Sequence, residues 1–278
     1  MPAAFAWSVA LSALLTALQL AVGLLSGSLA LVGQALHKLI DVAALLLGWG
    51  AERLSLLPPT SRFTWGYGRA THLAAVVNAA LVLAVGVVVV REAIGRLSTP
   101  VTVEPTPVIL AALAGIAVNL VAAWLFGPEH RNDLNRRAAV VHLLTDAAVM
   151  GAVLVSAVLV HVTGRSVLDA ATAIGVGLVV AWNGLRLLAQ ALAASLDGVP
   201  AGVDLAAVEE ALASMPEVAA VQELHVWGLS TARTALAARL RLRSVEEERT
   251  AAAVRAAARQ RLAELGIGCS ILELEPAP

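Results

Sequence analysis

Six apolar runs dominate this chain, at about 4–26, 29–51, 71–91, 107–126, 138–161 and 167–190. Each is long enough to cross a bilayer as a helix, which takes roughly 20 residues. Inside lipid no water is present to satisfy backbone N–H and C=O groups, so such runs fold as helices. The composition agrees: 59% of residues are hydrophobic and 14% charged, with a mean hydropathy of +0.82. Soluble domains carry about 25% charge, so a soluble enzyme is excluded. After Pro200 Glu and Arg become frequent and apolar residues intermittent. The expected division is therefore a six-helix membrane part, residues 1–199, and a small soluble part, residues 200–278, joined at Asp197-Gly-Val-Pro200.

The first run lacks a basic region before it and is followed at once by another, so it reads as a span rather than a cleaved signal. Six spans place both termini on one side of the membrane. The breaks after spans two and four hold Arg53, Arg62, Arg69, Arg131, Arg136 and Arg137, against Arg91, Arg96 and Arg165 in the opposite breaks. The Arg-rich side is expected to be cytoplasmic, and with it the termini and the tail. A single cysteine, Cys269, fits a reducing compartment. The net charge of −1 gives no general attraction to nucleic acid. Trp7, Trp49, Trp65 and Trp124 fall near span ends, where either an aromatic belt or ordinary lipid and core contacts account for them.

Two spans each carry a histidine and an aspartate four residues apart: His37-Lys-Leu-Ile-Asp41 and His142-Leu-Leu-Thr-Asp146. Four residues is slightly more than one helical turn, so both side chains of a pair project from one face. Ionisable groups within a span are costly and face a bundle interior or a wet cavity. Two matched pairs point to one intramembrane metal site, with two imidazoles and two carboxylates offering the four ligands that zinc favours. Two carboxylates also neutralise a divalent ion, which lowers the cost of taking it from water. Spans two and five run antiparallel, so His37 should lie level with Asp146, and Asp41 with His142. Lys38 is about 100° of helix rotation from His37 and is expected off this face. Interhelical hydrogen bonding is the favoured role for Asn78 and Asn119, and His72, His130 and His161, at span ends or in loops, are expected to be exposed and have no assigned role.

The tail reads as a small α+β domain in the order α-β-β-α-β. Residues 203–214 repeat apolar residues at helical spacing, with Asp204 near the start; 217–228 and 234–243 read as strands. In the second strand Leu236, Ala238, Leu240 and Leu242 alternate with Ala237, Arg239, Arg241 and Arg243, a half-buried sheet with one basic face. Residues 246–265 form a second expected helix and 271–275 a third strand.

The order of these parts resembles the cation diffusion facilitator family of metal/proton antiporters, over nearly the whole chain. Besides the paired His-x-x-x-Asp motifs, the resemblance rests on Gly66-Tyr-Gly-Arg-Ala70 with Asn78, on Asn119, on Asn135-Arg-Arg-Ala-Ala139, on Leu168-Asp169, on Leu196-Asp-Gly-Val-Pro200 and on Leu224-His-Val-Trp227. It implies proton-coupled export of a divalent cation, zinc first and cadmium next, by alternating access. It also implies a homodimer in the lipid of a bacterial inner membrane, with a ferredoxin-like cytoplasmic domain serving dimer contact. The metal is cargo held by His37, Asp41, His142 and Asp146, and no covalent chemistry is involved. At Asp169 an N-cap at the start of span six is an equal reading. The chain departs from the family at Gln34, where an acidic residue is usual, and at Thr71, where Glu is usual. Gln222, Arg239 and Cys269 stand where relatives bind metal in the tail, which leaves His225, Cys269, Glu273 and Glu275 as an atypical alternative. Two other classes compete: a membrane metal sensor or scaffold that does not transport, and an intramembrane metalloprotease, for which no His-Glu-x-x-His motif is present.

Overall fold

The computed structural model describes residues 3–125, 134–243 and 248–276, without the side chains of 3–12, 134–136, 138–139 and 248–250. His130, Arg131 and the side chains of Trp7, Asn135 and Arg136 therefore lie outside the described residues. Six helices come first: α1 (Ala3–Ser26), α2 (Leu29–Ser55), α3 (Ala70–Ser98), α4 (Pro105–Leu125), α5 (Leu134–Thr163) and α6 (Val167–Ser195). Among the described residues, five of them, α2 to α6, contain stretches long and apolar enough to cross a membrane. Proline is absent from their interiors except in the first turn of α4, where its fixed φ suits a helix start. Gly27 (φ 73°) ends α1 and Gly164 (φ 69°) ends α5, both in the left-handed region where glycine meets no Cβ clash.

One compact unit comprises Met1–Leu46 and Asn78–Arg186. Its core gathers Leu31 of α2, Val108 of α4 and Met150, Val153 and Ala157 of α5. Helices α3 and α6 meet backbone to backbone: a Cβ on Gly86 would stand 2.5 Å from the Ala181 nitrogen, and one on Gly184 would stand 2.5 Å from the Leu83 nitrogen. Small residues permitting such approach are the usual means of joining helices in lipid, where hydrophobicity gives no preference for helix over tail.

The amino end of α2 is closed by another helix. Asp169, in the first turn of α6, accepts hydrogen bonds from Leu29 N (2.7 Å), Ala30 N (3.3 Å) and the Ser28 hydroxyl (2.5 Å). Asp169 thus caps α2 rather than its own helix, which corrects the N-cap expectation. Ser28 Oγ in turn accepts from Leu31 N at 3.2 Å. Nearby, Arg96 at the end of α3 donates to Gly27 O (2.6 Å), and Glu104 N donates to Ser26 O (2.8 Å).

The second compact unit comprises Leu47–Val77 and Leu187–Pro278. It contains α7 (Leu205–Ala213), β1 (Val218–Ser230), β2 (Arg233–Leu242), α8 (Glu248–Glu264) and β3 (Cys269–Glu275). Asp204 caps α7, accepting from Ala206 N and Ala207 N. The sheet runs β1-β2-β3, with β1 antiparallel and β3 parallel to β2. Leu236, Ala238, Leu240 and Leu242 are buried, and they pack with Leu212 of α7 and Val254, Ala258 and Leu262 of α8. The period-two pattern therefore sets which face of the sheet meets the helices.

Two expectations about surface residues change here. Arg239 is not part of a free basic strip: it meets Glu223 (3.2 Å), Glu273 (3.0 Å) and Glu275 (3.5 Å) from the strands on either side. Strand register decides this, since Glu223 and Glu273 are the direct cross-strand partners of Arg239. His72 is buried rather than exposed, at 4%, because the first turn of α3 packs on the end of β1. There Thr71 Oγ1 accepts from Thr231 N at 3.1 Å, and a Cβ on Gly228 would come within 3.1 Å of the His72 ring.

Candidate metal centre

Helix α2 places His37 and Asp41 one turn apart, and α5 does the same for His142 and Asp146. His37 Nε2 lies 3.9 Å from Asp41 Oδ2, and His142 Nε2 lies 4.0 Å from Asp146 Oδ2. Across the two helices His142 Nε2 stands 3.7 Å from Asp41 Oδ2, the pairing expected of antiparallel spans. Ligand atoms of Asp41, His142 and Asp146 all fall within 4.8 Å of one another, the one such group among the described residues. His37 stands outside this group of three and adjoins it at Asp41.

These separations suit a metal ion better than direct hydrogen bonds. Bonds of about 2.0–2.1 Å to a tetrahedral zinc place its ligand atoms about 3.4 Å apart, against 3.7–4.0 Å for the His–Asp pairs here and up to 4.8 Å across the group. Asp41 Oδ2 and His37 Nδ1 are buried without a hydrogen-bond partner, and a buried acceptor left so is costly unless something fills the gap. A cavity of about 260 Å³ adjoins the group, lined by Thr16, Lys38, Asp41, Asn119, His142 and Asp146. The His142 side chain is 55% exposed and that of Asp146 10%, so the site has an open and a closed flank.

Lys38 does not point away. Its Nζ is 3.7 Å from Asp146 Oδ2 and donates to Asn119 Oδ1 at 3.4 Å. The rotation argument placed the Cα–Cβ direction, whereas a four-carbon stem carries the ammonium back into the site. Asn119 thereby links α4 to α2, while Asn78 Oδ1 is buried without a partner. Thr16, which lines the cavity, was missed in the sequence: one hydroxyl in an apolar run carries no readable signal.

In the second unit His225, Cys269, Glu273 and Glu275 are not brought to one point. His225 pairs in register with Ala237, Cys269 with Ala235, and the two glutamates hold Arg239.

Residues 6–194 match the model of the cation efflux transmembrane domain, and residues 200–270 match that of the cation efflux protein cytoplasmic domain. The chain belongs to the cation efflux (cation diffusion facilitator) family. Members are membrane transporters. The zinc transporter ZitB of Escherichia coli K12 is 39% identical over 208 residues, covering 74% of this chain and 66% of ZitB. The metal cation efflux system protein CzcD of Cupriavidus metallidurans is 32% identical over 214 residues, 77% of this chain and 68% of CzcD. A cadmium, cobalt and zinc/H(+)-K(+) antiporter of Bacillus velezensis is 28% identical over 216 residues, 77% of this chain and 69% of that protein. The match thus spans about two thirds of the length of these relatives.

Proposed function

We propose that this protein exports divalent metal cations from the cytoplasm, zinc first and cadmium next, in exchange for protons. The convergence of Asp41, His142 and Asp146 within 4.8 Å in an apolar bundle carries this reading. His37, beside Asp41, supplies the fourth ligand once the ligands contract around an ion. Relatives named for zinc, cadmium and H(+) exchange support the cargo and the coupling. Metal ligands must be deprotonated to bind, and histidine titrates near neutral pH, so metal and protons compete for one site. Alternating access then moves metal out and protons in.

In the same reading residues 1–199 form six spans, α1 included, with both termini in the cytoplasm of a bacterium and the bundle in its inner membrane. Residues 200–278 form a ferredoxin-like domain through which two copies associate; the match to the cytoplasmic domain of this family supports that role. The decisive experiment is transport by the purified protein in liposomes, with imposed pH gradients and a panel of divalent ions. Acid outside the exit face should accelerate zinc export. Zinc bound but never moved would make the protein a sensor or scaffold, and movement indifferent to pH would make it a uniporter.

A further inference from the structure

Lys38 is the single lysine among 278 residues; the other 18 of the 19 basic side chains are arginines. It sits between His37 and Asp41, in a helix whose other neighbouring positions are apolar. An ammonium at such a depth is retained only where it has a partner. Its partners are Asp146 Oδ2 at 3.7 Å and Asn119 Oδ1 at 3.4 Å, with 12% of its side chain exposed. The carboxylate it meets is one of the three groups that converge for metal.

From this placement we infer that Lys38 is a tethered stand-in for the metal: its ammonium occupies the Asp146 end of the empty site and withdraws when a divalent ion enters. This rests on the metal-site reading above and specifies how affinity is set there. Two aspartates facing each other with nothing between them would repel, and a fixed cation relieves that repulsion while the site is empty. The same cation then competes with cargo. If the ammonium holds Asp146 in nine of ten molecules, apparent affinity falls about tenfold, because only the remaining fraction binds metal. Lysine suits this use better than arginine. A compact ammonium leaves a carboxylate readily, whereas a guanidinium grips it with two parallel hydrogen bonds.

The inference predicts an order of affinities that a packing role does not. At one fixed pH, equilibrium zinc binding to the full-length protein in detergent should tighten about tenfold in Lys38→Met, and likewise in Lys38→Gln, which keeps a polar group should the Met variant fail to fold. Lys38→Arg should bind several-fold more weakly than wild type. Equal affinity in all variants, or weaker binding in Met and Gln, overturns the tether. Asp146→Asn separates this from the underlying reading: zinc binding that is unaffected by Asp146→Asn removes the metal site itself, whereas binding that needs Asp146 but ignores residue 38 removes only the tether.

Discussion

Replacing Asp169 with Ala should destabilise the protein more than removing any typical side-chain hydrogen bond in a membrane. The carboxylate accepts from two backbone N–H groups and one hydroxyl at the buried start of α2. If these behaved like average interhelical bonds in lipid, at about 0.6 kcal/mol each, the loss would be only about 2 kcal/mol. Two differences raise it: one side chain supplies all three acceptor contacts, and stranding a buried donor costs about 1–3 kcal/mol. Moreover, Leu29 N and Ala30 N belong to a helix start with no internal acceptor, so each would be left unsatisfied. A loss of about 3–5 kcal/mol follows for Asp169→Ala and about 1–2 kcal/mol for Asp169→Asn, which keeps one neutral acceptor. Unfolding in mixed detergent micelles, followed by helix content against denaturing detergent, measures both. An Ala variant within about 1 kcal/mol of wild type would refute the cap as a main support of α2.

Four further outcomes are expected. Ala at His37, Asp41, His142 or Asp146 should abolish zinc transport in liposomes while the protein still folds; wild-type zinc affinity should fall as pH drops, because protons and metal compete for the same ligand atoms. Retained transport in all four variants, or pH-independent binding, contradicts the ligand set. Gly86→Val should cost at least about 1–3 kcal/mol, the range for overpacking, since its Cβ meets the Ala181 backbone at 2.5 Å, and a thermal shift assay in detergent would show the drop. The segment 201–278 should dimerise without zinc and hold less than one zinc per chain, because Glu273 and Glu275 are committed to Arg239; a mass measurement showing dimers only on zinc addition would oppose this.

The features legible in the sequence are those fixed by local periodicity. Four-residue spacing put each His and Asp on one helical face, and two-residue alternation picked out Leu236, Ala238, Leu240 and Leu242 as the buried side of β2. What escaped depends on partners far along the chain. Asp169 acts across about 140 residues on α2, and nothing near it in sequence indicates which helix it caps. Arg239 read as free charge until strand register set it between glutamates. Lys38 was misjudged because backbone rotation fixes where a side chain starts, not where a long stem ends. Its rarity was the available signal: a lone lysine inside a span calls for a partner.

The clamp on α2 also has a mechanical reading. With Leu29 pinned by Asp169, and Gly27 just before the helix by Arg96, the amino end of α2 is the fulcrum about which any tilt of that helix would turn. At 1.5 Å per residue, His37 lies about 12 Å and Asp41 about 18 Å along the arm. A tilt of about 10° then carries His37 about 2 Å and Asp41 about 3 Å. Zinc–ligand bonds are only about 2.0–2.2 Å long, so the same swing that leaves the fulcrum undisturbed is enough to pull the more distant carboxylate off an ion. On the proposed ligand set, such a tilt would free Asp41 before His37 and give release a built-in order.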